Sequence, residues 1–458
     1  MDETKGKTNY FLYWATFSVN ILTMATGIAM SWSSPALVKL KSDDPSLNPL
    51  GRPITTFEES WIASLPSIGC VVGTLFCGFV SNKLGRKLTL IIFSIPFLGG
   101  YIAIALAKTV SIYYISRFLI GISGGNTLAV LPSYVGELAE DTNRGFLLCM
   151  MGILGASGYT FVYAIGPIVS IQVFAYLQLI PITLFYITFI PFIPESPYYF
   201  VEKNNIEAAK KCLKKIRTTE NVDSELTKII EHVAENKAKK TNWRELFTTK
   251  AARKGLTITC SLLTFQQFMG ISAVMGYMQI IFAECRTSIP SDTASIIIGV
   301  LQIVSNIVAT FTVDKIGRRV LLLSSNIGCS ISLILLGAYF LLKFHKINTD
   351  VIFWLPLACL ILFFSSYNFG FGTLPLTICG EIFASNIKSL ASSISTFVCL
   401  SMAFIVTLGF PYLSEAIGMS GCFILFAGIS LISIIFVIIM VPETKNKSFK
   451  EIQDMLDQ

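Results

Sequence analysis

The chain has 458 residues, of which 53% are hydrophobic and only 14% are charged. Soluble domains carry about 25% charged residues, so this composition excludes an ordinary soluble protein and predicts a protein with many spans in a lipid bilayer. The formal net charge is +7, but the basic residues are spread over the loops between apolar segments. This distribution indicates membrane topology rather than a nucleic-acid-binding surface.

Twelve apolar segments are long enough to cross a bilayer, which takes about 20 residues in a helix. Six fall near residues 10–33, 60–81, 88–107, 112–134, 145–166 and 173–194, and six near 255–283, 292–313, 320–342, 352–378, 389–412 and 420–441. The sequence therefore predicts an all-α membrane protein with twelve transmembrane helices in two six-helix bundles. The expected parts are residues 1–200 (N-terminal bundle), 201–254 (linker helices), 255–442 (C-terminal bundle) and 443–458 (tail).

The basic loops all lie on one side of this predicted topology. Lys and Arg concentrate in residues 83–87, 201–254, 315–319 and 445–450, and the positive-inside rule places these segments and both termini in the cytosol. Within residues 201–254, apolar residues recur at helical spacing, which favours small cytosolic helices packed on the membrane domain over a solvated linker. The residues that carry this pattern are Leu213, Ile216, Leu226, Ile229 and Ile230.

Each half carries the same charged motifs at helix ends, in the same order. Residues 85–87 (GRK) return as residues 317–319 (GRR), and Glu195 in a PES sequence returns as Glu443 in PET. Matched charged groups at one face are typical of an alternating-access transporter, whereas a single such motif would only set topology. We expect ion pairs among these groups to close the cytosolic face in one conformation and to break in the other. The expected gating network is Arg117, Glu137, Arg144, Glu195, Asp314, Arg318, Arg319, Glu381, Lys388 and Glu443.

Arg117 differs from the others because it lies inside the fourth predicted span. A charge at this depth is costly in lipid, so we expect Arg117 to face protein. The first span offers no acidic residue as a partner in the segment from Gly27 to Trp32. The absence of an intramembrane acid favours passive transport over proton coupling.

Uncharged polar residues at membrane depth indicate the ligand class. Gln266 and Gln267 are adjacent in the seventh span, and amides in an apolar helix are costly unless they form hydrogen bonds. Bonds between helices are one explanation, and a neutral polyhydroxyl ligand is the other. The expected cavity residues are Gln266, Gln267, Ser272, Gln302 and Asn368.

No catalytic pattern is visible in the sequence. There is no P-loop, GxSxG motif or metal-spaced His/Cys cluster, so we expect neither an enzyme nor a cofactor or metal site. The eleven cysteines lie almost entirely within spans, where a disulfide framework is not expected. Nothing in the sequence indicates an oligomeric state.

The motifs together resemble the sugar porter family of the major facilitator superfamily, over essentially the whole chain. They are the two GR[RK] turns, RFxxG at residues 117–121, PSYVGE at 132–137, PESP at 194–197, QQxxGI at 266–271 and PETKNKSF at 442–449. Trp32 and the residues after it are most similar to insect facilitated trehalose and glucose transporters. The resemblance implies sugar binding by Gln266 and Gln267, with Tyr277 near an outer gate.

Several positions depart from the family pattern. Ser272 replaces an asparagine, Leu376 replaces a tryptophan, and Cys399-Leu400 replace an Asn-Trp pair. Losing polar partners changes substrate preference strongly. The resemblance therefore implies a plasma-membrane uniporter for a hexose or trehalose, and leaves open a transporter of a polyol or other small neutral solute, or a non-transporting sugar sensor.

Overall fold

The computed structural model describes residues 10–140, 142–217, 221–238, 245–286, 288–312, 316–445, 447 and 449–457. Asp314, an expected member of the gating network, lies outside these residues. Within the described ranges, eleven helical segments are long and apolar enough to cross a membrane. The last of them contains two spans, because Gly418 has a left-handed φ of 72° and interrupts the helix. The twelve predicted spans are therefore confirmed.

The first bundle consists of six long helices and one short helix. Its helices are α1 (Tyr10–Ser31), α2 (Ser33–Leu40), α3 (Thr56–Leu84), α4 (Arg86–Ala105), α5 (Val110–Leu138), α6 (Arg144–Ile165) and α7 (Ile171–Phe189). Helices α3 and α5 cross at very short range, since a Cβ added to Gly121 would lie 2.3 Å from the carbonyl oxygen of Pro66. Close approach at small residues is how membrane helices gain packing contacts.

Four short helices connect the bundles: α8 (Pro197–Glu202), α9 (Ile206–Ile216), α10 (Asp223–Ala238) and α11 (Glu245–Thr248). Leu213, Ile216, Leu226 and Ile229 are buried beneath the first bundle, as predicted, but Ile230 is 37% exposed. The guanidinium of Arg217 joins the connection to the end of α5 through the carbonyl oxygen of Leu138, 2.7 Å away. We call the membrane face that carries these helices the linker face.

The second bundle repeats the first with two broken spans. Its helices are α12 (Lys250–Phe268), α13 (Ile271–Gly276), α14 (Met278–Cys285), α15 (Ser291–Thr312), α16 (Arg318–Phe344), α17 (Leu355–Phe369), α18 (Leu374–Ile382) and α19 (Ser385–Met440), followed by α20 (Phe449–Asp457). The seventh span breaks at Gly270, whose φ is 88°. The tenth span breaks between Phe369 and Leu374, where Gly370, Gly372 and Pro375 predict an interruption. All eleven cysteines are free thiols.

Candidate functional site

A central cavity of about 350 Å³ lies between the two bundles. Its walls come from α1, α3, α5 and α6 on one side and from the broken spans and α19 on the other. Among the described residues, Arg117 is the one charged side chain that lines it. The polar side chains in its wall are Thr26, Ser67, Tyr159, Gln266, Gln267, Ser272, Tyr367, Thr396, Cys399 and Thr407.

The two adjacent glutamines are joined by a small hydrogen-bond network in the cavity wall. Nε2 of Gln267 donates to the thiol of Cys399 at 3.3 Å, and that thiol donates to Oε1 of Gln266 at 3.5 Å. Ser272 donates to Oε1 of Gln267 at 2.6 Å, while Nε2 of Gln266 donates to the carbonyl oxygen of Phe371. The break at Gly270 makes this possible, because it turns Ser272 back toward the preceding helix.

Two of the expected cavity residues, Gln302 and Asn368, do not line this cavity, which corrects the expected set. Gln302 is buried on α15. Among the residues that the structure describes, Nε2 of Gln302 and Nδ2 of Asn368 have no hydrogen-bond partner. Tyr277 is buried above the cavity, where its hydroxyl donates to the carbonyl oxygen of Thr407 at 3.1 Å.

The cavity is closed on the face opposite to the linker face. Tyr277 packs on Phe410 with ring centroids 5.2 Å apart, and Trp61 of α3 packs edge-on against Phe404 of α19 at 6.0 Å. The hydroxyl of Thr56 donates to the carboxylate of Glu415, a second contact between the bundles. These contacts separate the cavity from the opposite face.

Toward the linker face the central cavity adjoins two further cavities. The nearer cavity has a volume of about 400 Å³ and shares Leu400 with the central cavity. The farther cavity has a volume of about 980 Å³ and shares Arg86 and Glu137 with the nearer one. Leu400 therefore lies at the boundary between the central cavity and the path to the linker face. The series leads from the two glutamines to the linker face.

The charged motifs form two equivalent clusters at the linker face, one in each bundle. In the first, Arg86 pairs with Glu137 at 3.1 Å and with Glu202 at 3.0 Å, and Ser196 donates to Glu137. In the second, Arg318 pairs with Glu381 at 3.2 Å, and Thr444 donates to Glu381. The sequence motifs that occur in both halves thus form equivalent ion pairs and hydrogen bonds in the two bundles.

A second glutamate in each cluster caps a helix. Glu195 accepts backbone N–H groups of Arg86 and Lys87 at the start of α4, at 3.0 and 2.9 Å. Glu443 accepts those of Arg318 and Arg319 at the start of α16, at 2.9 and 3.1 Å. Carboxylates are favoured at this end of a helix.

The two caps differ in their electrostatics. Burial raises the pKa of the Glu195 carboxyl above its usual value, although backbone N–H groups oppose the shift. Burial also acts to raise the pKa of Glu443, but there the hydrogen bonds from backbone N–H groups outweigh it and the pKa is lowered.

None of the ion pairs described above joins one bundle to the other, and the expected lock between the bundles stays a prediction for the conformation that is closed at this face. These ion pairs are intact although the cavities open to the linker face, so they fasten helices within a bundle in this conformation. Arg144 donates to the carbonyl oxygen of Gly136 at 2.8 Å, and the Lys388 side chain lies over the equivalent Gly380. Neither cation has a carboxylate within 4.0 Å among the described residues.

Arg117 lies far from these clusters and does not belong to the linker-face network. It is fully buried and donates to the carbonyl oxygens of Ala29 at 2.8 Å and Ile62 at 3.1 Å, and to the hydroxyl of Ser33 at 2.9 Å. Its guanidinium also lies 4.9 Å from the ring centroid of Trp32. Neutral acceptors and an aromatic face thus replace the acid that the first span lacks.

Sequence reasoning missed most hydroxyl groups of the cavity wall, including Thr26, Tyr159, Tyr367 and Thr396. Single hydroxyl residues are common in membrane helices and bond to their own backbone. They therefore carried no signal that distinguishes a cavity wall from a helix interface.

Two bundles of six spans around a central cavity, closed on one face and open on the other, define a membrane transporter of the major facilitator fold. A solved structure of the xylose transporter XylE from E. coli, in its inward open conformation, has the same fold, with a TM-score of 0.78 at 20% identity over 97% of this chain and 99% of that chain. A partially occluded inward open form of that transporter gives a TM-score of 0.77.

The chain belongs to the sugar transporter family, whose model, described as "Sugar (and other) transporter", matches residues 12–456. It is 32% identical to a facilitated trehalose transporter Tret1 of Bombyx mori over 98% of this chain and 88% of the relative. It is equally 32% identical to Tret1 of Culex quinquefasciatus, covering 99% and 87%. The expectation of a transporter rather than an enzyme is confirmed by this membership.

Proposed function

We propose that this protein is a facilitative uniporter that moves a hexose or trehalose across the plasma membrane by alternating access. The observation that carries the proposal is the central cavity, whose wall presents two bridged glutamine amides and several hydroxyl groups. Amides offer donors and acceptors together, as the hydroxyl groups of a sugar require. The names of the relatives, facilitated trehalose transporters, support the same substrate class.

The cavity wall favours a substrate larger than a single hexose. Leu376 and Leu400, which stand where the family resemblance implies tryptophan, both line the cavity. Leucine occupies less volume than an indole and removes a stacking surface for one ring. Trehalose, with two linked rings, suits a wider cavity held by hydrogen bonds.

The environment of Arg117 supports uniport. Its N–H groups are satisfied by carbonyl and hydroxyl oxygens rather than by a carboxylate. Among the described residues, no carboxylate lines the central cavity, and a proton-coupled mechanism requires a group that changes protonation during the cycle.

In the proposed transport cycle, this conformation is the inward-open state. With the basic linker face and both termini in the cytosol, as the positive-inside rule predicts, the cavity series opens inward and the contacts of Trp61 and Tyr277 form the closed outer gate. Residues 1–200 and 255–442 would then rock as two bodies about the cavity, joined by residues 201–254 and followed by the tail at 443–458.

The test is uptake of labelled glucose and labelled trehalose in oocytes that express the chain, at two external pH values. We expect saturable uptake that does not depend on pH and that Gln266→Ala/Gln267→Ala abolishes. Gln302→Ala is the matched control, because it removes a buried amide outside the cavity. Absence of uptake of either sugar, with surface expression demonstrated, would refute the proposal.

A second candidate is transport of a polyol or another small neutral solute, or sugar sensing without transport. The observation that favours it is the loss of both stacking tryptophans at Leu376 and Leu400. Competition of labelled-sugar uptake by unlabelled polyols separates a polyol transporter from a sugar transporter. Binding of sugar without uptake would identify a sensor.

A further inference from the structure

The outermost cavity of the series described above lies at the linker face, beyond the central cavity. Its volume is about 980 Å³, and its walls come from the first bundle, from α8 and α10 of the connection, and from α19 of the second bundle. Its polar lining consists of Asn82, Arg86, Ser133, Glu137, Arg144, Tyr198, Glu202, Lys203, His232 and Lys388. A space of this size between two bundles admits a solute or a lipid headgroup.

The lining of this cavity is positively charged. Four cations face two carboxylates, which leaves +2 with His232 neutral. Both carboxylates, Glu137 and Glu202, already pair with the single guanidinium of Arg86. The cationic excess therefore resides on Arg144, Lys203 and Lys388.

Arg144 and Lys388 approach the cavity from different bundles. They hold equivalent positions in the two halves, each with its side chain over a glycine next to a glutamate. Neither forms an ion pair within 4.0 Å among the described residues, and the same is true of Lys203, whose ammonium lies over the Tyr199 ring at 5.6 Å. A guanidinium and two ammonium groups with free donors match the oxygens of a phosphate group.

We propose that this cavity binds a phosphate-bearing anion, held between Arg144 of the first bundle and Lys388 of the second, with Lys203 as a third contact. The anion bridges the bundles in the conformation that is open at the linker face. A ligand that binds one conformation better shifts the population toward it. Occupancy therefore stabilises this conformation and slows the transport cycle.

Two sources can supply the phosphate group: a soluble organic or inorganic phosphate, or the headgroup of an anionic phospholipid. Basic cavities between membrane helices at this depth bind lipid headgroups, and a cavity open to solvent also admits a soluble anion. The chemistry of recognition is the same, so the experiment has an arm for each source.

The experiment uses the full chain, purified and placed in phosphatidylcholine nanodiscs, with thermal unfolding as the readout. Pyrophosphate is titrated into one sample, and phosphatidic acid is included in the lipid of another. We expect a higher Tm in at least one arm, and an apparent Kd about tenfold weaker in Arg144→Gln/Lys388→Gln, equivalent to about 1.4 kcal/mol. This readout does not require sugar transport.

Two variants keep the test decisive. Lys211→Gln/Lys214→Gln removes the same charge from the exposed side of α9, outside the cavity, and should retain the full shift. Arg144→Lys/Lys388→Arg keeps both charges and should retain most of it, even if the glutamine variant folds poorly. A response to pyrophosphate identifies a soluble source, and a response to phosphatidic acid alone identifies a lipid. No shift in either arm, or an equal loss in the α9 control, would overturn the proposal.

Discussion

The indole of Trp61 packs edge-on against the ring of Phe404, and this pair joins α3 to α19 across the top of the central cavity, with 6.0 Å between the centroids. An aromatic pair contributes about 0.5–1.5 kcal/mol beyond its buried area. Because the pair connects the two bundles, it exists only while the opposite face is closed. It therefore biases the equilibrium toward the conformation described above.

We expect Trp61→Ala to raise the population that is open at the opposite face by about two- to tenfold. The rate at which a membrane-impermeant maleimide added at that face labels Cys399 measures this population, since Cys399 lines the cavity. Cys399→Ser measures the labelling of the other thiols, which is subtracted as background. An unchanged labelling rate would show that the pair does not control closure.

Replacement of Leu400 tests the exit path. Leu400→Trp should narrow the boundary between the central cavity and the next one, so we expect maximal uptake to fall several-fold. Leu400→Ala should preserve or raise it. Leu425→Trp places the same bulk on an exposed position of the twelfth span and should have little effect; an equal loss there would contradict the interpretation.

Glu381→Ala should lower transport rate more than ligand affinity. Glu381 holds Arg318 at 3.2 Å and accepts a hydrogen bond from Thr444, far from the sugar cavity. Removing this carboxylate from beside the mostly buried guanidinium costs about 1–3 kcal/mol, which should appear as a lower Tm. Glu381→Gln, which keeps an acceptor, should lose less. Weakened binding with an unchanged rate would contradict this prediction.

The thiol of Cys399 should hold the side chains of Gln266 and Gln267 in place, because it forms a hydrogen bond with each of them. Cys399→Ser keeps a donor and an acceptor between Gln266 and Gln267, so we expect uptake close to that of the unmodified chain. Cys399→Val removes both, and the loss of about 1 kcal/mol per hydrogen bond should weaken sugar binding several-fold. Competition binding of unlabelled trehalose against a labelled sugar measures the difference. Equal affinities in both variants would exclude a role for the thiol.

The two capping glutamates should respond oppositely to pH. The pKa of Glu443 is lowered from 4.5, so its stabilisation is full above that value and is lost as the pH falls through the folded-state pKa. We expect Glu443→Gln to lower the Tm at about pH 7 and to have less effect at about pH 3.5.

Glu195 is the matched comparison for this experiment. Its pKa is raised, so its contribution is greatest at low pH and falls as the pH rises. Glu195→Gln should therefore cost less at neutral pH than Glu443→Gln does. A larger loss in Glu195→Gln at neutral pH would show that the N–H hydrogen bonds dominate at both caps.

The twelve spans were predictable because each needs only length and apolar composition, and the paired clusters because their motifs repeat in order. The cavity was predictable only in part. Gln266, Gln267 and Ser272 line it, whereas Gln302 and Asn368 do not, since position along a span fixes depth but not rotation about the helix axis. Arg117 was correctly expected to face protein, but its partners are carbonyl oxygens of other helices, which have no sequence signature.

The caps of α4 and α16 also bear on the order in which the chain is made. The carboxylate that satisfies the first N–H groups of α4 comes from Glu195, which the ribosome adds only after the last span of that half. The start of α4 therefore stays incomplete until six spans have emerged, and it is then completed without any residue of the second half. Because Glu443 does the same for α16, each half can be inserted and closed as a separate unit during synthesis.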